Sequence, residues 1–149
     1  MVPTSLFANT INALLAANTA QLAAAAVKNV TLLKANFTPG PGTDYSTLTP
    51  ADFTGSTAKT SPSGAQQAFV DGATGRQVVQ LIEPVGGWHW VTTDAVNLPQ
   101  TIYGFVLTND DNSETYGSEL LPTPIVLTAA GQAVDLDQVR FVVANTPLS

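Results

Sequence analysis

The sequence predicts a mainly β protein folded as a single domain. It reads as an antiparallel sandwich or barrel of about seven or eight short strands behind one N-terminal helix. Three observations predict this. From Val27 onward, runs rich in Val, Ile, Thr, Tyr and Phe alternate with Gly, Pro, Asn and Asp clusters at intervals of roughly 8–12 residues. Strong helical periodicity is confined to residues 4–17. The 149 residues, 44% of them hydrophobic, suffice for one core, and no repeat or linker divides them.

The helix is capped by Thr4 or Ser5, with Pro3 just ahead. Leu6, Phe7, Ile11, Leu14 and Leu15 form a broad apolar stripe, and the segment carries no charge. Such a helix packs on its own sheet or docks on a neighbouring subunit. Leu22 and the four alanines that follow it favour a second short helix, although Asn18-Thr19 interrupts the run. Residues 1–26 therefore read as a helical arm and residues 27–149 as the β domain.

Val27–Lys34 is the first core strand, with Val30 and Leu32 on one face and Leu33 on the other. Thr38–Thr54 is a long loop opened by Pro39-Gly40-Pro41-Gly42, which continues neither helix nor strand. Tyr45, Leu48 and Phe53 are its apolar anchors, and Thr49–Phe53 suits a capped helical turn. Gly55–Gly64 reads as a flexible loop or a weakly held edge strand.

Gln67–Val70 and Arg76–Ile82 flank Asp71–Gly75 as a hairpin. Its second strand is central and covered on both faces, because Val78, Val79, Leu81 and Ile82 span both parities.

Gly86–Asn109 holds both tryptophans and the only histidine. Trp88 and Trp90 share one face and His89 takes the other. After a turn at Asp94–Pro99, Ile102, Gly104 and Val106 fall on one face and Tyr103, Phe105 and Leu107 on the other.

Asn109–Ser113 is a polar turn into a return strand over Glu114–Leu121. Pro122 and Pro124 then make a bent edge or a crossover. Near the end, Val134 and Leu136 occupy one parity and Val139, Phe141 and Val143 the other. This phase change predicts a bulge or a corner near Asp137-Gln138.

Only 11% of residues are charged, against roughly a quarter in an average domain. A surface of Thr, Ser, Asn and Gln is cheap to desolvate, which suits extensive protein–protein contact. The net charge is −6, and the five basic residues are scattered, so no nucleic-acid partner is expected. The absence of cysteine excludes disulfides and thiolate metal sites. No apolar run approaches the ~20 residues that span a bilayer, and no basic stretch precedes the N-terminal apolar patch. No membrane partner is expected.

Chemistry-bearing constellations are sparse. His89 is the sole imidazole, so it alone could serve as the base of a triad. Asp110-Asp111-Asn112 with Glu114 could ligate calcium, but the spacing is not that of an EF-hand, and an Asx turn explains the residues. Asp135 and Asp137 share a face as a carboxylate pair or as plain solvent alternation. Trp88, Trp90, Tyr103, Tyr45 and Tyr116 could stack on sugars, with core packing of the tryptophans as the default. Neither a cofactor nor catalysis is expected.

Val30–Phe37 with Thr38-Pro39, Leu48-Thr49-Pro50-Ala51-Asp52-Phe53-Thr54-Gly55, Trp88–Thr93, Thr101–Thr108, Tyr116–Pro124, and Ala129 to Leu136 form a pattern that resembles small virion structural proteins of tailed phages and prophages. The likeness spans residues 27–143. It departs from the family pattern at Ser56, where an aromatic is usual.

The resemblance implies a jelly-roll-like β-sandwich and a non-enzymatic capsid decoration (cement) protein on the virion. Its partners would be the major capsid protein or other virion proteins, and it would form a homo-oligomer, with a trimer as one form. A tail, baseplate or fibre module binding host glycans is the alternative. On either reading the interface candidates are Leu6, Phe7, Ile11, Leu14 and Leu15 of the helix and Tyr45, Leu48 and Phe53 of the loop.

Overall fold

The computed structural model describes residues 28–40, 43–61, 66–70, 77–109 and 111–142. The N-terminal helix, with Leu6, Phe7, Ile11, Leu14 and Leu15, and the hairpin loop 71–75 lie outside the described residues. Nine strands occur among those described: β1 (Lys28–Leu33), β2 (Lys59–Ser61), β3 (Gln66–Val70), β4 (Gln77–Leu81), β5 (Trp88–Val91), β6 (Gln100–Asn109), β7 (Thr115–Leu127), β8 (Ala133–Leu136) and β9 (Arg140–Val142). The protein is mainly β, and every strand pair is antiparallel.

The strands form sheets of order β2-β1-β6-β7, β3-β4-β9 and β5-β8. One hydrophobic cluster draws on all three. Val30, Leu32, Ile102, Phe105, Leu107 and Leu127 come from the first sheet and Leu81 from the second. Trp88, Trp90 and Val134 come from the third, and Val139 precedes β9.

β1 and β6 are the spine. Their register pairs Val30 with Leu107 and Leu32 with Phe105, placing these four on the core face. Thr31, Leu33, Val106 and Thr108 alternate with them and are buried too. Burial of both faces explains why these strands read as near-continuous apolar runs.

The alternation predicted for β6 is corrected by a register shift between Ile102 and Gly104. Opposite Tyr103, β7 accommodates Leu121-Pro122-Thr123-Pro124, so Ile102 joins Phe105 and Leu107 in the core. Neither proline breaks a ladder, because β7 is an edge strand. At Gly104 an added Cβ would overlap the Glu119 carbonyl oxygen and lie 2.8 Å from the Phe37 ring. The close approach of β7 and of that ring thus requires glycine.

The predicted hairpin of β3 and β4 is present, with β4 central in its sheet. Leu81 at its end is buried, whereas Ile82, just past the strand, is exposed. The phase change near Asp137 is a corner. β8 pairs with β5 and β9 with β4, and Val134 and Val139 on either side of the corner are both buried. Thr92 (1% exposed) fixes the turn before β8, because its hydroxyl donates to the Ala129 carbonyl at 2.8 Å and accepts from Gln132 N at 3.0 Å.

Of the two readings for Gly55–Gly64, the edge strand is the observed one, as β2 pairs with the first half of β1. The second half is met by the long loop. Lys34 N donates to Thr49 O at 3.0 Å, and Ala51 N donates to Leu32 O at 2.8 Å. The helical turn expected over Thr49–Phe53 is therefore absent. Extended backbone there satisfies groups on the open flank of β1, which a helical turn could not do. A 3-10 turn lies earlier in the loop, at Tyr45–Thr47, where the Asp44 carboxylate accepts from Ser46 N at 3.0 Å.

Candidate functional site

The long loop is built as a braced surface. Phe53 is 2% exposed and belongs to the core cluster. It anchors the loop as the sequence suggests, but as an interface candidate it is corrected, because a buried ring presents no area to a partner. Tyr45, the first residue of the 3-10 turn, and Leu48, its C-cap, are half-buried. Downstream, Gly55 packs with φ +110° against the Val91 carbonyl, where no side chain fits.

Between Ala51 and Phe53 the chain turns Asp52 outward into a polar knot. Its Oδ1 accepts from Lys34 Nζ at 2.7 Å and from Gln100 Nε2 at 2.7 Å. The Asp52 backbone N–H donates to Gln100 Oε1 at 3.2 Å, and its carbonyl accepts from Asn97 Nδ2 at 2.8 Å. Gln100 also donates to Asn97 O at 3.2 Å. Asn97 takes a left-handed backbone (φ 59°), a conformation that asparagine tolerates.

Gln100 is 7% exposed, and its amide nitrogen and oxygen are both engaged by the loop and the turn. The Lys34 hydrogen bond foremost, then that of Gln100, holds the Asp52 carboxyl below the usual carboxylate range. These residues, with Pro99, Thr101 and Tyr103, line an open recess of about 380 Å³.

The aromatic platform does not assemble. Trp88 and Trp90 are 2% and 1% exposed, and the Trp90 indole donates to Thr57 O at 3.0 Å. Tyr116 is bound to Glu114 through its hydroxyl at 3.0 Å. Of the five aromatics read as sugar-stacking candidates, Tyr103 alone reaches the recess.

His89 is exposed on β5 and meets Asp135, its cross-strand partner on β8. The sequence offered no group converging on this histidine, since the partner lies 46 residues away and only the β5–β8 register joins them. No third side chain is bonded to the pair among the described residues. Asp111 forms an Asx turn, accepting from Ser113 N at 3.0 Å and from its hydroxyl at 2.6 Å. No three His, Asp or Glu side chains gather at metal-binding distance among the described residues.

Sequence reasoning missed Lys34, Gln100 and Asn97 as partners of Asp52. They are 18, 48 and 45 positions away, and no local pattern signals such a junction. Comparison with family models, curated proteins and solved structures returned no match.

Proposed function

We propose that the protein is a non-enzymatic structural component of a tailed-phage particle, acting as a decoration protein that binds the shell and stabilises it. The observation that carries this reading is the braced loop. Phe53 in the core, the backbone pairing at Thr49 and Ala51, and the ties from Asp52 to Lys34, Gln100 and Asn97 pre-order the segment. An ordered surface of low charge loses little conformational entropy and few ion hydration shells on docking. Tyr45 and Leu48 are the contact residues on this segment, together with Leu6, Phe7, Ile11, Leu14 and Leu15, which the sequence pattern puts on one face of an N-terminal helix.

The finer architecture belongs to the same proposal. The three sheets share one cluster of side chains, which supports layers packed face to face as a sandwich with jelly-roll-like connections. The partners are the major capsid protein and further copies of this chain.

The test is addition of the full-length protein to particles assembled without it. Co-sedimentation with the shell and a raised shell melting temperature are expected, both lost when Tyr45 and Leu48 are replaced by Ser. A protein that does not co-sediment, or that sediments only with isolated tails, refutes the assignment.

A further inference from the structure

We infer that the recess bounded by Lys34, Asp52, Asn97, Gln100, Thr101 and Tyr103 is a binding site for a neutral pyranose sugar. This does not rest on the virion reading.

Volume and charge select the ligand class. About 380 Å³ is the low end of small-molecule sites and accommodates one or two sugar rings, not a folded partner. Lys34 and Asp52 neutralise each other at 2.7 Å. A phosphate or carboxylate ligand would face the Asp52 carboxylate, and a cation would face Lys34. An uncharged ligand meets neither repulsion.

The remaining chemistry suits a polyol. Asp52 uses Oδ1 for both of its side-chain partners, which leaves Oδ2 able to accept from a hydroxyl. Asn97 spends its amide nitrogen on the Asp52 carbonyl and keeps its side-chain oxygen. The Tyr103 and Thr101 hydroxyls, each donor and acceptor, complete the set. Vicinal sugar hydroxyls present donors and acceptors to such a set, and the C–H face of a pyranose packs on an aromatic ring such as Tyr103.

The frame is pre-organised. Gln100, almost wholly buried, fixes Asp52 and Asn97 through three hydrogen bonds before any ligand arrives.

The experiment is saturation-transfer NMR on the full-length protein with the methyl glycosides of glucose, galactose, mannose and N-acetylglucosamine, each at millimolar concentration. The expected result is transfer to at least one of them. Affinity should fall about tenfold in Tyr103→Ala and in Asp52→Asn, and stay unchanged in His89→Ala, which does not line the recess. Tryptophan fluorescence reports folding of each variant; where Tyr103→Ala does not fold, Asp52→Asn carries the test. No transfer to any of the four sugars, or transfer that survives the recess substitutions, overturns the inference. So does binding of inorganic phosphate in their place.

Discussion

Replacing Phe53 with alanine separates an anchored loop from a merely adjacent one. The ring is 2% exposed within the cluster that contains Trp88, Trp90 and Ile102. Its removal forfeits the transfer free energy of the side chain and leaves a cavity, a loss of about 3–5 kcal/mol for such a substitution. Against a typical total of ~5–15 kcal/mol, this is a large fraction. For a domain of this length it lowers the melting temperature by roughly 6–20 °C, taking ~2–4 °C per kcal/mol.

The damage should be local first. Ala51 N and Lys34 N are the two amides that tie the loop to β1. In Phe53→Ala their hydrogen exchange should accelerate more than that of the β1–β6 ladder. Tyr45→Ala is the control. That side chain sits half-buried on a 3-10 turn with no buried residue, so its loss should stay within about 0.5 kcal/mol. Thermal melts and exchange of the three proteins decide the matter. A Phe53→Ala variant that loses less than ~1 kcal/mol, or that exchanges uniformly, refutes the anchoring argument.

Two further outcomes follow from the β6–β7 junction and from the carboxylates. Gly104→Ala should destabilise by about 1–3 kcal/mol in chemical denaturation, because the new methyl meets the Glu119 backbone oxygen, which moves only with its strand. The pH dependence has components of opposite sign. Asp52 titrates below the usual range because of Lys34 and Gln100, so its contribution is full above the ordinary carboxyl pKa and is lost as pH falls through the folded value. Desolvation raises the Glu119 carboxyl, so ionisation there costs stability as pH climbs from the ordinary value to the folded one. Melts against pH should accordingly show a shallower acid-side slope in Asp52→Asn, the rest coming from Asp111, which its Ser113 hydrogen bonds also hold low, and lose their decline toward neutrality in Glu119→Gln.

How far the chain could be read depended on whether the signal was local. The strand positions at Lys28–Leu33, Gln77–Leu81, Trp88–Val91 and Gln100–Asn109 were legible because period-two patterning and turn residues sit side by side in sequence. The phase change near Asp137 was legible for the same reason, since a change of parity is written into consecutive residues, but the choice of a corner over a bulge came only from the pairing of β8 with β5 and β9 with β4. The helical turn at Thr49–Phe53 was misread because local capping chemistry competes there with an unpaired flank of β1, and the tertiary pairing won. The face assignment in β6 failed because the shift at Ile102/Gly104 is imposed by the extra residues of β7. The polar knot was invisible for a related reason. Asp52 meets Lys34 and Gln100 only after β1, the loop and β6 have been placed together.

The stretch from Gly86 to Asn109 shows how one segment serves two ends. Its aromatics and lone histidine give it the composition of an active site, yet Trp88 and Trp90 point inward and complete the core. The same segment then emerges at Asn97 and supplies Asn97, Pro99, Gln100, Thr101 and Tyr103 to the recess. Ile102 enters the core while Thr101 and Tyr103, its neighbours, face the recess. Alternation along β6 thus couples the two. The buried residues hold the strand in place, and with it the position of Gln100, Thr101 and Tyr103 at the recess. A substitution in the core face of this strand should therefore loosen the recess as well as lower stability, whereas one in the recess should leave the core intact.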